Sequence, residues 1–185
     1  MQSRAFVVMP FSTRKPVGFD GQEIEPHREI NFDHVYDHLF VPALKQAGYE
    51  AFRADSEVGA GDIRTDMFFE LVTADLVVAD ISILNANVFY ELGIRHGVCP
   101  RGVLIVKNNL VPSRPFDIAP DRSFTYDASL FIECGTSGLN GLQNDLLRSE
   151  QDRLASAFKN AVAVESETIG SPVYSHLPGL KPVDW

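Results

Sequence analysis

Short β-rich apolar runs alternate along this chain with segments whose apolar residues recur at helical spacing. Residues 5–9 (Ala-Phe-Val-Val-Met), closed by Pro10, predict a buried first strand. Residues 12–30 are polar and contain Pro16, Gly18, Gly21 and Pro26, which predicts a loop long enough to be functional or mobile. A helix capped by Asn31 or Asp33 and running to about residue 47 follows from Val35, Leu39, Ala43 and Leu44 on one face, with Gly48 ending it. Pro42 should kink or break that helix. Residues 49–54 read as a second strand and 56–61 as a turn. A helix capped by Asp62 then carries Ile63, Met67 and Leu71.

Residues 76–81 (Leu-Val-Val-Ala-Asp-Ile) form an almost unbroken apolar run, as expected of a central strand buried on both faces. A polar loop over 82–87 and a helix over about 88–97 follow. Residues 103–107 make a fourth strand, 112–120 a proline-rich connection, 123–126 a short fifth strand and about 139–162 a long last helix. The segment from 170 on holds Pro172, Pro178 and Pro182 and cannot prolong that helix. Strands alternating with helices predict one α/β domain over residues 1–185, a flavodoxin-like or Rossmann-like three-layer sandwich. Its sheet should be mainly parallel and five-stranded. In such a sheet a ligand sits at the C-terminal strand ends, where strand order reverses.

Composition narrows the functional classes. The chain has 185 residues, 45% hydrophobic and 22% charged, as a globular domain does. Its net charge of −9 disfavours duplex nucleic acid and anionic membrane surfaces as partners. A small anion can still be held locally at a helix N-terminus. The two cysteines, Cys99 and Cys134, form neither a C-x-x-C pair nor a Cys/His cluster, so no structural zinc or disulfide framework is expected. The N-terminal apolar run is too short for a signal-peptide core and no segment is long enough to span a bilayer, so a cytoplasmic protein is expected. Dinucleotide-binding, Walker, zincin and esterase signatures are absent.

The segment 9–11 after the first strand, 53–55 after the second and 80–91 after the third should converge at the sheet's carboxyl edge. The last belongs to the densest stretch of the chain, Ala74-Asp75-Leu76-Val77-Val78-Ala79-Asp80-Ile81-Ser82-Ile83-Leu84-Asn85-Ala86-Asn87-Val88-Phe89-Tyr90-Glu91-Leu92-Gly93-Ile94-Arg95-His96. With Asn87 as N-cap, Glu91 would lie in the first helical turn, held ionised by the positive helix end. Alternatively, a first-turn glutamate simply favours the dipole from a solvated position.

This stretch resembles the nucleoside 2-deoxyribosyltransferase-like superfamily, which includes deoxynucleoside 5′-monophosphate N-glycosidases. The superfamily pattern is Ala-Asp-x-Val-Val-Ala, an acidic residue, a loop, then Tyr-Glu-Leu-Gly. This chain has Ala86 where proline is usual. Weaker matches lie at Val8-Met9-Pro10-Phe11, Arg53-Ala54-Asp55, Asp62-Ile63, Pro115-Phe116-Asp117 with Tyr126, and Ser171-Pro172-Val173-Tyr174. The resemblance implies that Glu91 is a catalytic nucleophile at the anomeric carbon. It implies that Met9, Pro10 and Phe11 underlie the sugar and base, simple core packing being the alternative. Asn85 stands where relatives contact base or phosphate, and Asp66 lies about one residue from the acid that assists the leaving base, or is equally a solvated helix carboxylate.

Tyr90 then either holds the nucleophile or packs, and Asp80 either orients the loop or meets the ligand. Asp55 either binds a sugar hydroxyl or caps the turn. Asn87, Asp117 and Tyr126 complete the candidate set, the last two within this or a neighbouring subunit's site, since such enzymes are often homo-oligomers. N-glycosidic cleavage needs a carboxylate beneath C1′ and an acid near the base, with no metal or other cofactor. The expected substrate is a nucleoside, a nucleotide or an NAD-like N-ribosyl compound. A related domain in apoptosis-signal-regulating MAP kinase kinase kinases keeps open a sensing module without turnover, and the fold alone allows a flavodoxin-like protein with no small-molecule site.

Overall fold

The computed structural model describes residues 2–17, 22, 29–53, 63–111, 115–118, 121–132, 141–165 and 170–182. Five strands form one sheet: β1 (Ser3–Val8), β4 (Tyr49–Phe52), β5 (Leu76–Asp80), β6 (Val103–Asn108) and β7 (Ser123–Tyr126). Their order is β4-β1-β5-β6-β7 and every pairing is parallel. This is the expected flavodoxin-like α/β arrangement. The chain leaves β1 in one direction to reach β4 and then returns past it to β5. The order therefore reverses between β1 and β5, and in open sheets of this class a ligand binds beyond the C-terminal ends of the strands at such a reversal.

Alternation along the strands divides the core in two. Ala5, Val7, Val78, Leu104 and Val106 face a layer of three helical pieces and a long helix: α1 (Phe32–Val35), a π-helical turn (Tyr36–Phe40), α2 (Val41–Ala47) and α5 (Gly141–Glu165). Phe6, Val8, Val77, Ala79, Val103 and Ile105 face α3 (Ile63–Thr73) and α4 (Ala86–Val98) on the other side.

Pro42 neither breaks nor ends the first helical segment. The helix widens into the π turn just before it, and the N–H that Pro42 lacks is compensated in part by a side chain of α5: Gln151 Nε2 donates to the His38 carbonyl at 2.6 Å. Asn31 is the cap, its Oδ1 accepting from His34 N at 3.0 Å. Gly48 ends α2 in the left-handed region at φ 94°.

The stretch expected to be a bare loop holds a small antiparallel ladder, β2 (Thr13–Arg14) with β3 (Ile30–Asn31), which ties the exit of β1 to the start of α1. Near the chain's other end, the prolines allow a separate short helix, α6 (Pro172–His176), capped by the Ser171 hydroxyl. Ser171 Oγ also donates to the His96 carbonyl at 2.7 Å, and the Tyr174 hydroxyl to the Gly97 carbonyl at 3.3 Å. Two carbonyls at the C-terminal end of α4 are thus satisfied. No helix among the described residues is long and apolar enough to cross a membrane.

Candidate functional site

At the reversal point the end of β1 contributes less surface than its sequence position suggests. Met9 packs in the core beside Ala5 and Val7, and Pro10 is buried. Of these three residues Phe11 alone is exposed. Its ring lies against Arg53, the first residue of the 53–55 segment expected at this edge, just beyond β4. The Arg53 guanidinium sits 4.5 Å from the Tyr36 ring centroid and 4.9 Å from that of Phe11, and its Nη1 pairs with Asp33 Oδ1 at 3.0 Å. Asp33 also accepts from the Ser12 amide at 3.3 Å. A buried arginine following a strand directly is the signal that could have marked this junction. Asp55, the residue singled out there, lies outside the described residues.

Asp80 ends β5 fully enclosed. Its Oδ1 accepts from the Ser82 amide at 2.9 Å and its Oδ2 from the Tyr126 hydroxyl at 2.8 Å. The Ser82 hydroxyl stands 3.0 Å from the Tyr126 oxygen and accepts from Asn108 N at 2.7 Å. One buried network therefore ties the carboxyl ends of β5, β6 and β7. Burial pushes the Asp80 carboxyl up to about 6, against the hydrogen bonds from Ser82 and Tyr126 that pull it down. The Tyr126 hydroxyl is held well above its ordinary value by burial and by the Asp80 charge. With both oxygens engaged inside the protein, Asp80 acts on the loop that follows it, fixing the chain's exit towards α4.

That loop delivers α4 differently from the expectation. Asn85 is the N-cap, extended at φ −128° and ψ 110°, with its Oδ1 accepting from Asn87 N at 3.0 Å. The helix begins at Ala86, two residues before the predicted start, and Asn87 lies inside its first turn. Asn85 wins the cap because its extended backbone and short amide leave the helix free to start at once. The common proline at 86 would suit that first helical position equally well. Glu91 consequently sits in the second turn, beyond the strongest part of the helix-end field.

Its charge state follows its surroundings. Glu91 is partly buried, and among the described residues burial is the cause that raises its carboxyl from 4.5 to about 7. The expectation of a carboxylate held ionised by the helix end is thus corrected to one poised near neutrality. Helical periodicity gives its direction. Val88, Leu92 and Arg95 face inward, and Glu91 lies between the inward face and the flank turned to α3. That flank is fixed by Arg95, whose Nη1 donates to the Leu71 and Val72 carbonyls at 2.8 and 3.3 Å, and whose Nη2 donates to Arg101 and Gly102 carbonyls. His96, beside it, is buried and held down at about 4 by burial and by the Arg95 charge, so it is neutral at physiological pH.

The remaining candidates are dispersed. Tyr90 is 61% exposed and meets the Phe68 ring of α3 edge-on at 6.5 Å, turned away from the core. Asp66 is exposed on α3. It lies one turn before Glu70, whose carboxylate pairs with Arg4 at 2.9 Å. Phe68, two residues on and so about 200° round the helix, faces α4. The structure therefore places Asp66 and Glu91 on flanks that do not face each other. Asp117 is exposed in a short 3₁₀ turn, Phe116–Ile118. No group of three or more His, Cys, Asp or Glu side chains able to hold a metal gathers among the described residues.

The arrangement after β5 is thus a partly buried carboxyl, raised by burial, on a helix that a buried network and a buried arginine hold in place. Searches against models of known protein families and against the curated proteins find no match to this chain.

Proposed function

We propose that this protein cleaves or transfers an N-glycosidic bond of a nucleoside, a nucleotide or an NAD-like N-ribosyl compound, with Glu91 acting at the anomeric carbon. The observation that carries the reading is the place of Glu91, partly buried in α4, the helix that follows β5 at the strand-order reversal, where burial raises its carboxyl. A carboxylate withdrawn from water by burial is poorly solvated in the resting protein. Positive charge developing at C1′ relieves that cost, so the interaction is stronger in the transition state than before it. The same charge favours ionisation of Glu91 at the moment it is needed, either to bond to C1′ or to stabilise the cation.

The base must leave with negative charge or gain a proton. Asp66, exposed on α3, supplies it only where the substrate or a side-chain movement brings the base to that flank. Otherwise the base takes its proton from solvent, or departs as a neutral molecule that needs none, as nicotinamide does from a cationic N-ribosyl compound. Water as acceptor gives hydrolysis and a second base gives transfer. The separation of Asp66 from Glu91 also supports a second reading, a module that binds the nucleotide-like ligand as a signal without turnover. Both readings place a small molecule in a homo-oligomeric, cytoplasmic protein.

The test is release of free base from a panel of nucleosides, nucleotides and NAD, followed by chromatography, for the wild type and Glu91→Gln. The enzymatic reading expects release by the wild type and a loss of at least a hundredfold in the variant. Ligand-induced thermal stabilisation without release on any member selects the sensing reading, and equal release by both proteins removes Glu91 from the chemistry.

A further inference from the structure

We propose that His34 and His38 form a chelating site for a divalent first-row transition-metal ion of the Ni²⁺, Cu²⁺ or Zn²⁺ type. The site lies on the α1 side of the sheet, across it from Glu91, and does not depend on the glycosidic reading. Residues four apart on a helix stand on one face. Here the two imidazole centroids are 5.4 Å apart with their planes inclined at 59°. With metal–nitrogen bonds of about 2.0–2.1 Å, an ion shared by two imidazoles at tetrahedral or octahedral angles sets the ring centroids roughly 4.5–5.2 Å apart. A small side-chain rotation closes the difference.

The backbone beneath the rings is already fixed, which reduces the ordering cost of binding. Asn31 Oδ1 holds the His34 amide at 3.0 Å, and Gln151 Nε2 holds the His38 carbonyl at 2.6 Å. Val35 and Leu39, buried between and beside the two histidines, anchor the segment to the core. Both rings are exposed, so an ion reaches them without local unfolding and completes its coordination with water. Asp37 is exposed on the same turn, and the chain's net charge of −9 draws cations to the surface. Imidazole ligands without thiolate select nickel, copper and zinc over magnesium and calcium, with copper tightest.

The experiment is titration of the full chain, freed of any affinity tag, with Ni²⁺, Zn²⁺ and Mg²⁺, followed by calorimetry and by thermal unfolding. One equivalent of Ni²⁺ or Zn²⁺ is expected to bind and raise the melting temperature, while Mg²⁺ leaves it unchanged. His34→Ala and His38→Ala each weaken Ni²⁺ binding at least tenfold, and their circular dichroism matches the wild type because both side chains are exposed. His34→Ala combined with His38→Ala abolishes the thermal shift. Wild-type affinity retained in either single variant, or a shift of equal size with Mg²⁺, overturns the site.

Discussion

The Tyr126 hydroxyl donates to Asp80 Oδ2 at 2.8 Å across the full width of β6, joining the last residues of two strands that are not neighbours in the sheet. The two groups shape each other: burial raises both, and the hydrogen bond from Tyr126, with those from Ser82, pulls the Asp80 carboxyl back down. Asp80 has a folded pKa of about 6 against an ordinary 3.8, so its stabilising contribution is full below about 4 and is lost as pH rises through 6. Tyr126→Phe removes a donor from the charged form. Urea unfolding should show a loss of about 1.5–3 kcal/mol above pH 7 and a smaller loss near pH 4, where Asp80 is neutral in both proteins. An equal loss at the two pH values would mean that Asp80 is not the partner that matters.

Glu91 titrates in the same sense. Its carboxyl is raised from 4.5 to about 7, so the native state is favoured by protonation below 4.5 and that advantage is lost as pH rises through 7. Glu91→Gln cannot ionise. Its melting temperature relative to wild type should therefore climb between pH 4.5 and 7 and stay level above. A more stable but inactive variant is the signature of a strained catalytic group. A pH-independent difference would place the carboxylate in water.

Much of the scaffold is legible in the sequence because each strand carries its own signal. The uninterrupted run at 76–80 reports burial on both faces, and the helical spacing of Val35, Leu39 and Leu44 reports a helix packed on one. The pieces that escaped are those set by tertiary context. The π turn before Pro42, and Gln151 more than a hundred residues away, explain how a helix passes that proline. The β2–β3 ladder pairs two-residue strands too short to carry a period.

At the site, two asparagines two positions apart were equally good caps by type, and only the backbone chose Asn85 over Asn87. Glu91's ionisation was read from its distance to a helix end, whereas its burial decides it. Asp66 and Glu91 each sit on a helix, but the rotation of one helix against the other is not written in either segment. The motif around Glu91 is legible as chemistry; the partner of that chemistry is not.

Gly102 shows how closely α4 is fitted to the turn before β6. Its φ is 77°, and a Cβ placed there would lie 2.5 Å from Arg95 Nη2 and 2.6 Å from the Asp75 carbonyl oxygen. Gly102→Ala strains the backbone and pushes the buried guanidinium off the Leu71 carbonyl. Destabilisation of roughly 2–4 kcal/mol is expected by chemical denaturation, with loss of whatever activity depends on Glu91. A neutral effect would show that the Arg95 anchor is dispensable.

Ser171 holds the end of α4 from outside. Ser171→Ala removes both the cap of α6 and the bond to the His96 carbonyl, at a cost of about 1–2 kcal/mol, or a few degrees in melting temperature for a domain of this size. Hydrogen exchange should rise at the amides of α6 first. Unchanged protection there would mean that the short helix does not depend on its serine.

The geometry of a bound substrate bears on Glu91 most directly. A crystal of Glu91→Gln soaked with a nucleotide that the wild type cleaves should show C1′ of the pentose about 3–3.5 Å from the carboxamide, with the base directed away from α4. A sugar bound elsewhere, or a residue 91 side chain directed into solvent while the ligand occupies the β1–β5 crevice, would contradict a role for Glu91 at the anomeric carbon.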